Sequence, residues 1–218
     1  MGDDLTFDLT DGRVARGQVK NPQGAGLGVL LPGLNYGCDK PLLAETSKLL
    51  QDEYGLKVVE LTLPRYTDDA AFKAMDREAQ LATFAADGAA LLPQLEDLAT
   101  PGPQVFAGKS LGTMVLGGMA EAGLPDAARV IWLTPSLRNT PLLGQMRAAR
   151  RPAFSLIGSR DPSVGITRSL PYNQIADLVH LEVGGMDHGW RHMDGERASL
   201  MGLAQAMVGM KRWLDQVL

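Results

Sequence analysis

Residues Gly108 to Gly112 read GKSLG, a G-x-S-x-G pattern centred on Ser110. Glycines at those two positions suit a sharp turn between a strand and a helix, where the serine backbone is strained and a side chain at either flank would clash. A serine hydroxyl is a poor nucleophile, so chemistry at Ser110 needs a base to take its proton and an acid to hold that base. Two later stretches carry those residue types: GSRDP with Asp161 and GGMDHGW with His188.

Each partner has rivals. His180 lies inside the apolar run LVHLEV, where a histidine serves packing. His192 falls four residues after His188, and the spacing predicts it on the helix that follows. A His188 and His192 metal pair lacks the Glu of H-E-x-x-H and a clear third ligand, so no metal is expected. Asp187 adjoins His188, and consecutive loop residues rarely face one site, which leaves Asp161 as the acid. Cys38, the single cysteine, is away from the serine turn and reads as a buried thiol with no catalytic part.

Elements must bring these residues together. Apolar runs rich in β-branched residues occur at 27–32, 57–64, 103–108, 129–134, 153–158 and 178–183, and predict strands. Between them, helical spacing covers 40–54, 69–98, 111–122 and 196–218; in the second of these, Gly88 and Pro93 predict a kink or a split. At the start, LTFDL and RVARGQVK flank an Asp-Gly turn signal and predict an antiparallel hairpin at a sheet edge. Alternation of strand and helix is the sequence form of an α/β fold with a mostly parallel sheet. In such a sheet, ligand sites form beyond the carboxyl ends of the strands. Ser110, Asp161 and His188 all fall at such ends, in that chain order.

A turn-borne serine, then an acid, then a late histidine resembles the α/β-hydrolase superfamily over nearly the whole chain. GSRDP looks like its acid-bearing turn, GGMDHGW like its histidine loop, and LLPGLNYGCDKPLL is similar to the HGAGG oxyanion loop of its small, cap-less dienelactone-hydrolase-like and esterase-like members. Pro32 stands where those members carry histidine, and Asn35 where they carry glycine. The resemblance implies one α/β-hydrolase domain over 1–218: a mostly parallel central sheet flanked by helices, with an N-terminal antiparallel hairpin at its edge. No cap domain is expected, because the stretch from Pro135 to Ala153 has room only for a short helix.

It also implies a serine hydrolase that cleaves a carboxylic ester or thioester through an acyl-serine intermediate. Ser110 is then the nucleophile, His188 the general base, and Asp161 the residue that holds the His188 tautomer. Backbone N–H groups of Leu111 and of Leu34 or Asn35 would meet the oxyanion, helped by the dipole of the helix that starts at Leu111. Two other readings stay open: an idle hydrolase-like fold used for binding, and an acyltransferase or an amide or lactone hydrolase with the same triad.

Composition bounds the partners. With 45% hydrophobic and 21% charged residues over 218 positions, the chain is that of a folded globular protein. A formal charge of −4 provides no overall attraction for nucleic acid or an anionic membrane. The longest apolar runs are of strand length, far below the roughly 20 residues of a membrane span. The start lacks the pattern of a signal peptide, so the cytoplasm is the expected compartment. No cofactor is expected, and the partner is a small-molecule ester or thioester. Arg65, Lys109, Arg138, Arg160 and Arg191 all lie at or just past strand ends. Surface solvation is their ordinary role; the sharper reading has Arg65, Lys109 and Arg138 contact a substrate bearing a carboxylate or phosphate. Trp190 is placed either to line an acyl pocket or to pack the last helix.

Overall fold

The computed structural model describes residues 4–218. Its elements in chain order are β1 (Asp4–Asp8), β2 (Val14–Lys20), β3 (Ala25–Leu31), α1 (Pro41–Asp52), β4 (Leu56–Thr62), α2 (Ala70–Ala74), α3 (Arg77–Glu96), β5 (Gln104–Lys109), α4 (Leu111–Ala122), β6 (Ala128–Leu133), α5 (Thr140–Ala148), β7 (Ala153–Gly158), α6 (Val164–Thr167), α7 (Leu170–Asn173), β8 (Leu178–Val183) and α8 (Glu196–Val217).

Strands β3, β5, β6 and β7 are apolar on both faces and buried along almost their whole length, as parallel strands covered by helices must be. They form the centre of an eight-stranded sheet in the order β1-β2-β4-β3-β5-β6-β7-β8. From β3 the chain moves outward to β4, then crosses back to β5 on the other side. Such a reversal opens a crevice at the carboxyl ends of the two strands. Leu31 at the end of β3 is paired with Gly108 near the end of β5, so the loop after β3 and the turn after β5 emerge side by side.

The expected hairpin is present: β1 pairs antiparallel with β2 at the sheet edge, and β2 pairs antiparallel with β4. The Asp-Gly signal acts as expected, because Asp11 and Gly12 both take positive φ (54° and 71°). All other neighbouring strands run parallel. Helices α3, α4 and α5 bury Phe84, Leu91, Val115, Met119 and Leu142 on one face of the sheet. On the other face, α1 and α8 bury Leu42, Leu50, Met210 and Trp213.

The split within 69–98 falls elsewhere than expected. It lies between α2 and α3, where the Asp76 side chain accepts from Ala79 N–H at 2.8 Å and caps the new helix. Pro93 stays in the last turn of α3. Gly88 serves contact between helices: a Cβ there would lie 2.0 Å from the carbonyl oxygen of Val115, and one on Gly118 would lie 2.1 Å from that of Ala85. Those two glycines let α3 and α4 cross with their backbones touching. Between β6 and β7 the chain holds only α5, nine residues long, and no cap covers the carboxyl end of the sheet there.

Candidate active site

The strand-to-helix turn after β5 holds Ser110 at φ 53° and ψ −114°, a region costly for a residue with a side chain. The turn is over-determined by its bonds. Ser110 N–H donates to Leu133 O at 3.0 Å, and Ser110 O accepts from Thr113 N–H at 2.9 Å and from the Thr113 hydroxyl. That hydroxyl in turn accepts from Ser136 N–H at 3.2 Å, so the turn is anchored to the loop after β6. Thr113 was not singled out in the sequence, although it closes the same glycine-rich stretch.

Asp161 follows β7 and His188 follows β8. The Asp161 side chain is fully buried and the His188 imidazole is 39% exposed. Asp161 Oδ1 accepts from Ser163 N–H at 2.8 Å, while Oδ2 lies 2.6 Å from His188 Nδ1. On the other side of the ring, Nε2 lies 2.8 Å from Ser110 Oγ. An ionised carboxylate only accepts, which assigns the proton to Nδ1 and leaves Nε2 free to accept from the serine hydroxyl. The two loops are tied together: Arg160 N–H donates to Met186 O at 3.0 Å, and Gly185 N–H to the Ser159 hydroxyl at 2.8 Å. The structure thus joins three residues from three strand ends into one hydrogen-bonded chain.

The rivals are used elsewhere. Asp187 turns back into its own loop and accepts from Arg191 N–H at 2.8 Å. His192 lies before α8, and not on it as the spacing suggested; its Nδ1 accepts from Asp194 N–H at 3.1 Å. His180 stays in β8, edge-on to Tyr172. Cys38 is half-buried, its Sγ 3.5 Å from Leu61 O, and burial pushes its thiol up to about 12, which makes it inert.

The loop after β3 closes through reciprocal bonds between Gly33 and Tyr36, at 3.0 and 3.2 Å, with Leu34 and Asn35 at its tip. Asn35 takes a positive φ of 55°, which asparagine tolerates better than most residues. Among the described residues, the backbone N–H groups of Leu34, Asn35 and Leu111 have no protein acceptor. Tyr36, passed over in the sequence, braces the loop by accepting from Leu42 N–H at 3.0 Å. A cavity of about 470 Å³ bordered by Ser110, His188, Leu34, Tyr36 and Trp190 opens on one side of this loop. A second, of about 340 Å³, lies on the other side against Leu111, Leu63, Pro64 and Arg65.

The basic residues divide. Arg65 borders the second cavity, its side chain 88% exposed and 3.6 Å from Asp68. Arg138 is exposed and borders neither cavity. Arg160 is exposed as well, and Arg191 pairs with Asp187 at 3.9 Å. Lys109 borders the cavity at Ser110 together with Tyr36 and His188. It is 2% exposed, and its ammonium donates to His188 O at 2.9 Å. Trp190 is buried in the core with residues of α8 and also borders the cavity at Ser110.

No protein-family model matches the chain, and no curated protein matches it in sequence. Solved structures do. Est1E from Butyrivibrio proteoclasticus superposes with a TM-score of 0.69 over 100% of this chain and 99% of its own, at 12% identity. A dienelactone hydrolase from Anabaena variabilis gives 0.70 over 99% and 97%, at 14% identity. XC6422 from Xanthomonas campestris, described as an α/β serine hydrolase without lid, gives 0.67 over 100% and 95%, at 14% identity. The chain has the α/β-hydrolase fold, as the order of serine, acid and histidine implied, and the stretch between β6 and β7 holds only the nine-residue α5, as its length implied.

Proposed function

We propose that this protein is a serine hydrolase that cleaves a carboxylic ester or thioester of a small molecule through an acyl-serine intermediate. The observation that carries the reading is the chain from Ser110 through His188 to Asp161, at 2.8 and 2.6 Å. His188 Nε2 takes the Ser110 proton as Oγ attacks the carbonyl, and Asp161 stabilises the imidazolium that forms. The tetrahedral oxyanion is met by Leu111 N–H and by Leu34 or Asn35 N–H, aided by the N-terminal end of α4. His188 then returns the proton to the departing alkoxide or thiolate, and water attacks the acyl-serine by the same route in reverse. Every one of these steps uses groups on the chain and water.

The fold neighbours support an ester as substrate: one structure of Est1E is described with ferulic acid bound. Arg65 at the mouth of the second cavity favours an acyl group that carries a carboxylate or phosphate. The deciding experiment is mass spectrometry of the intact protein after exposure to a small fluorophosphonate, beside Ser110→Ala and His188→Ala. A single adduct on Ser110, lost in both variants, is expected, followed by hydrolysis of short-chain 4-nitrophenyl esters. No adduct on folded wild-type protein would favour an idle fold, and capture of the acyl group by an acceptor other than water would favour acyl transfer.

A further inference from the structure

Lys109 ends β5 and immediately precedes Ser110, yet it is 2% exposed. A lysine is almost never so buried without a partner. Its ammonium donates to the backbone carbonyl of His188 at 2.9 Å and lies 4.3 Å from the centre of the Tyr36 ring. Its stem runs along Gly33, where a Cβ would stand 3.1 Å from Lys109 Cδ. Two loops of the site, those after β3 and β8, therefore meet on one side chain at the end of the strand that leads into Ser110.

The histidine loop is tied to the acid loop at Gly185 and Met186, whereas the carbonyl of His188 itself is held by Lys109. The loop's sequence, GGMDHGW, has three glycines in seven residues, and Asp161 holds only the far side of the imidazole. A displacement of about 1 Å at a reacting group costs on the order of 10²-fold in rate. We propose that Lys109, as an ammonium, is a positioning residue: it anchors the His188 carbonyl to the strand that carries Ser110 and so keeps Nε2 within reach of the hydroxyl. The inference rests on the serine-hydrolase reading above.

The anchor is sensitive to alkali. Burial lowers the Lys109 ammonium to about 8, against the opposing pull of Asp161 and Asp187. The other titratable or charged groups around it are Tyr36 from the loop after β3, His188 itself, and Lys40 and Arg191 across the cavity. Above that pH the neutral amine is a weaker donor and loses its attraction for the ring face. Activity should therefore fall. Stability should move the other way: the unfolded chain binds the proton up to about 10.5 and the folded one only to about 8, so stability relative to an uncharged variant rises across that window and is lost as pH falls through 8.

The test measures fluorophosphonate labelling of Ser110, and kcat and KM for a 4-nitrophenyl ester, in wild type, Lys109→Met and Lys109→Arg from roughly pH 6.5 to 9.5, with Tm alongside. At pH 7, Lys109→Met should label and turn over about tenfold more slowly with little change in KM. Its profile should lack the alkaline fall near 8, and its Tm should lose ground to wild type as pH rises. Lys109→Arg, charged throughout, should restore much of the rate and push the fall beyond the range. Labelling of wild type with an unchanged rate in Lys109→Met, or an alkaline fall that persists in it, would overturn the anchor alone. If Lys109→Met does not fold, the Lys109→Arg profile decides, and an alkaline fall left in place overturns the anchor. A wild type that never labels at Ser110 removes the hydrolase reading and the anchor with it.

Discussion

A Cβ on Gly112 would stand 2.2 Å from the carbonyl oxygen of Leu31. The first turn of α4 thus rests directly on the end of β3, and that contact sets Ser110 beside the Gly33 to Tyr36 loop. Gly112→Ala must push the two apart, at a cost of about 1–3 kcal/mol for overpacking. It should lower Tm and, well below its melting range, slow labelling of Ser110. A variant as stable and as reactive as wild type would show that the close contact is dispensable.

The carboxylate of Asp161 is wholly enclosed and spends both oxygens, on Ser163 N–H and on His188. Asp161→Asn presents an amide that favours the wrong His188 tautomer, and kcat for a 4-nitrophenyl ester should fall by about 10³- to 10⁴-fold with KM nearly unchanged. A fall of less than about tenfold would deny Asp161 that part in the mechanism.

Asp87 on α3 is fully buried and ties the hairpin to Tyr66. Its oxygens accept from Thr10 N–H at 3.1 Å, from the Thr10 hydroxyl, from Arg13 Nη2 at 3.2 Å and from the Tyr66 hydroxyl at 2.9 Å. Asp87→Ala strands the Arg13 guanidinium, only 11% exposed, and should cost on the order of 3 kcal/mol. Chemical denaturation reads that loss directly. Activity at low temperature should survive, because none of these groups borders Ser110.

Arg65 gives a test by salt. If it draws in an anionic acyl group, kcat/KM for a monosuccinate ester should drop as salt rises while that for a neutral ester stays level, and Arg65→Gln should flatten the first curve. Arg138→Gln, which borders neither cavity, should change neither. Equal salt dependence for both esters would remove the electrostatic role.

The central strands were legible because each is a short apolar run whose burial is written into its own residues, and their ends shift by no more than two positions in the structure. The elbow at Ser110 was legible for a local reason too: Gly108 lies against the backbone of Gly112 and Thr113, within the same short stretch. The split before α3 was misplaced because an aspartate that caps a helix is also common in loops. Gly88 was misread as a kink because the backbone it lies against belongs to another helix.

The sequence by itself determined the alternation of strand and helix, the hairpin at the edge, and the order of serine, acid and histidine at strand ends, since these depend on local burial, turn chemistry and chain order. Only the tertiary structure decided what the remaining polar groups do. Lys109 and His188 are 79 positions apart, and Asp87 lies 74 from Arg13. Whether a lysine faces water or bonds a distant carbonyl depends on the crossing of strands and loops that bring such pairs together, and no local pattern encodes that distance.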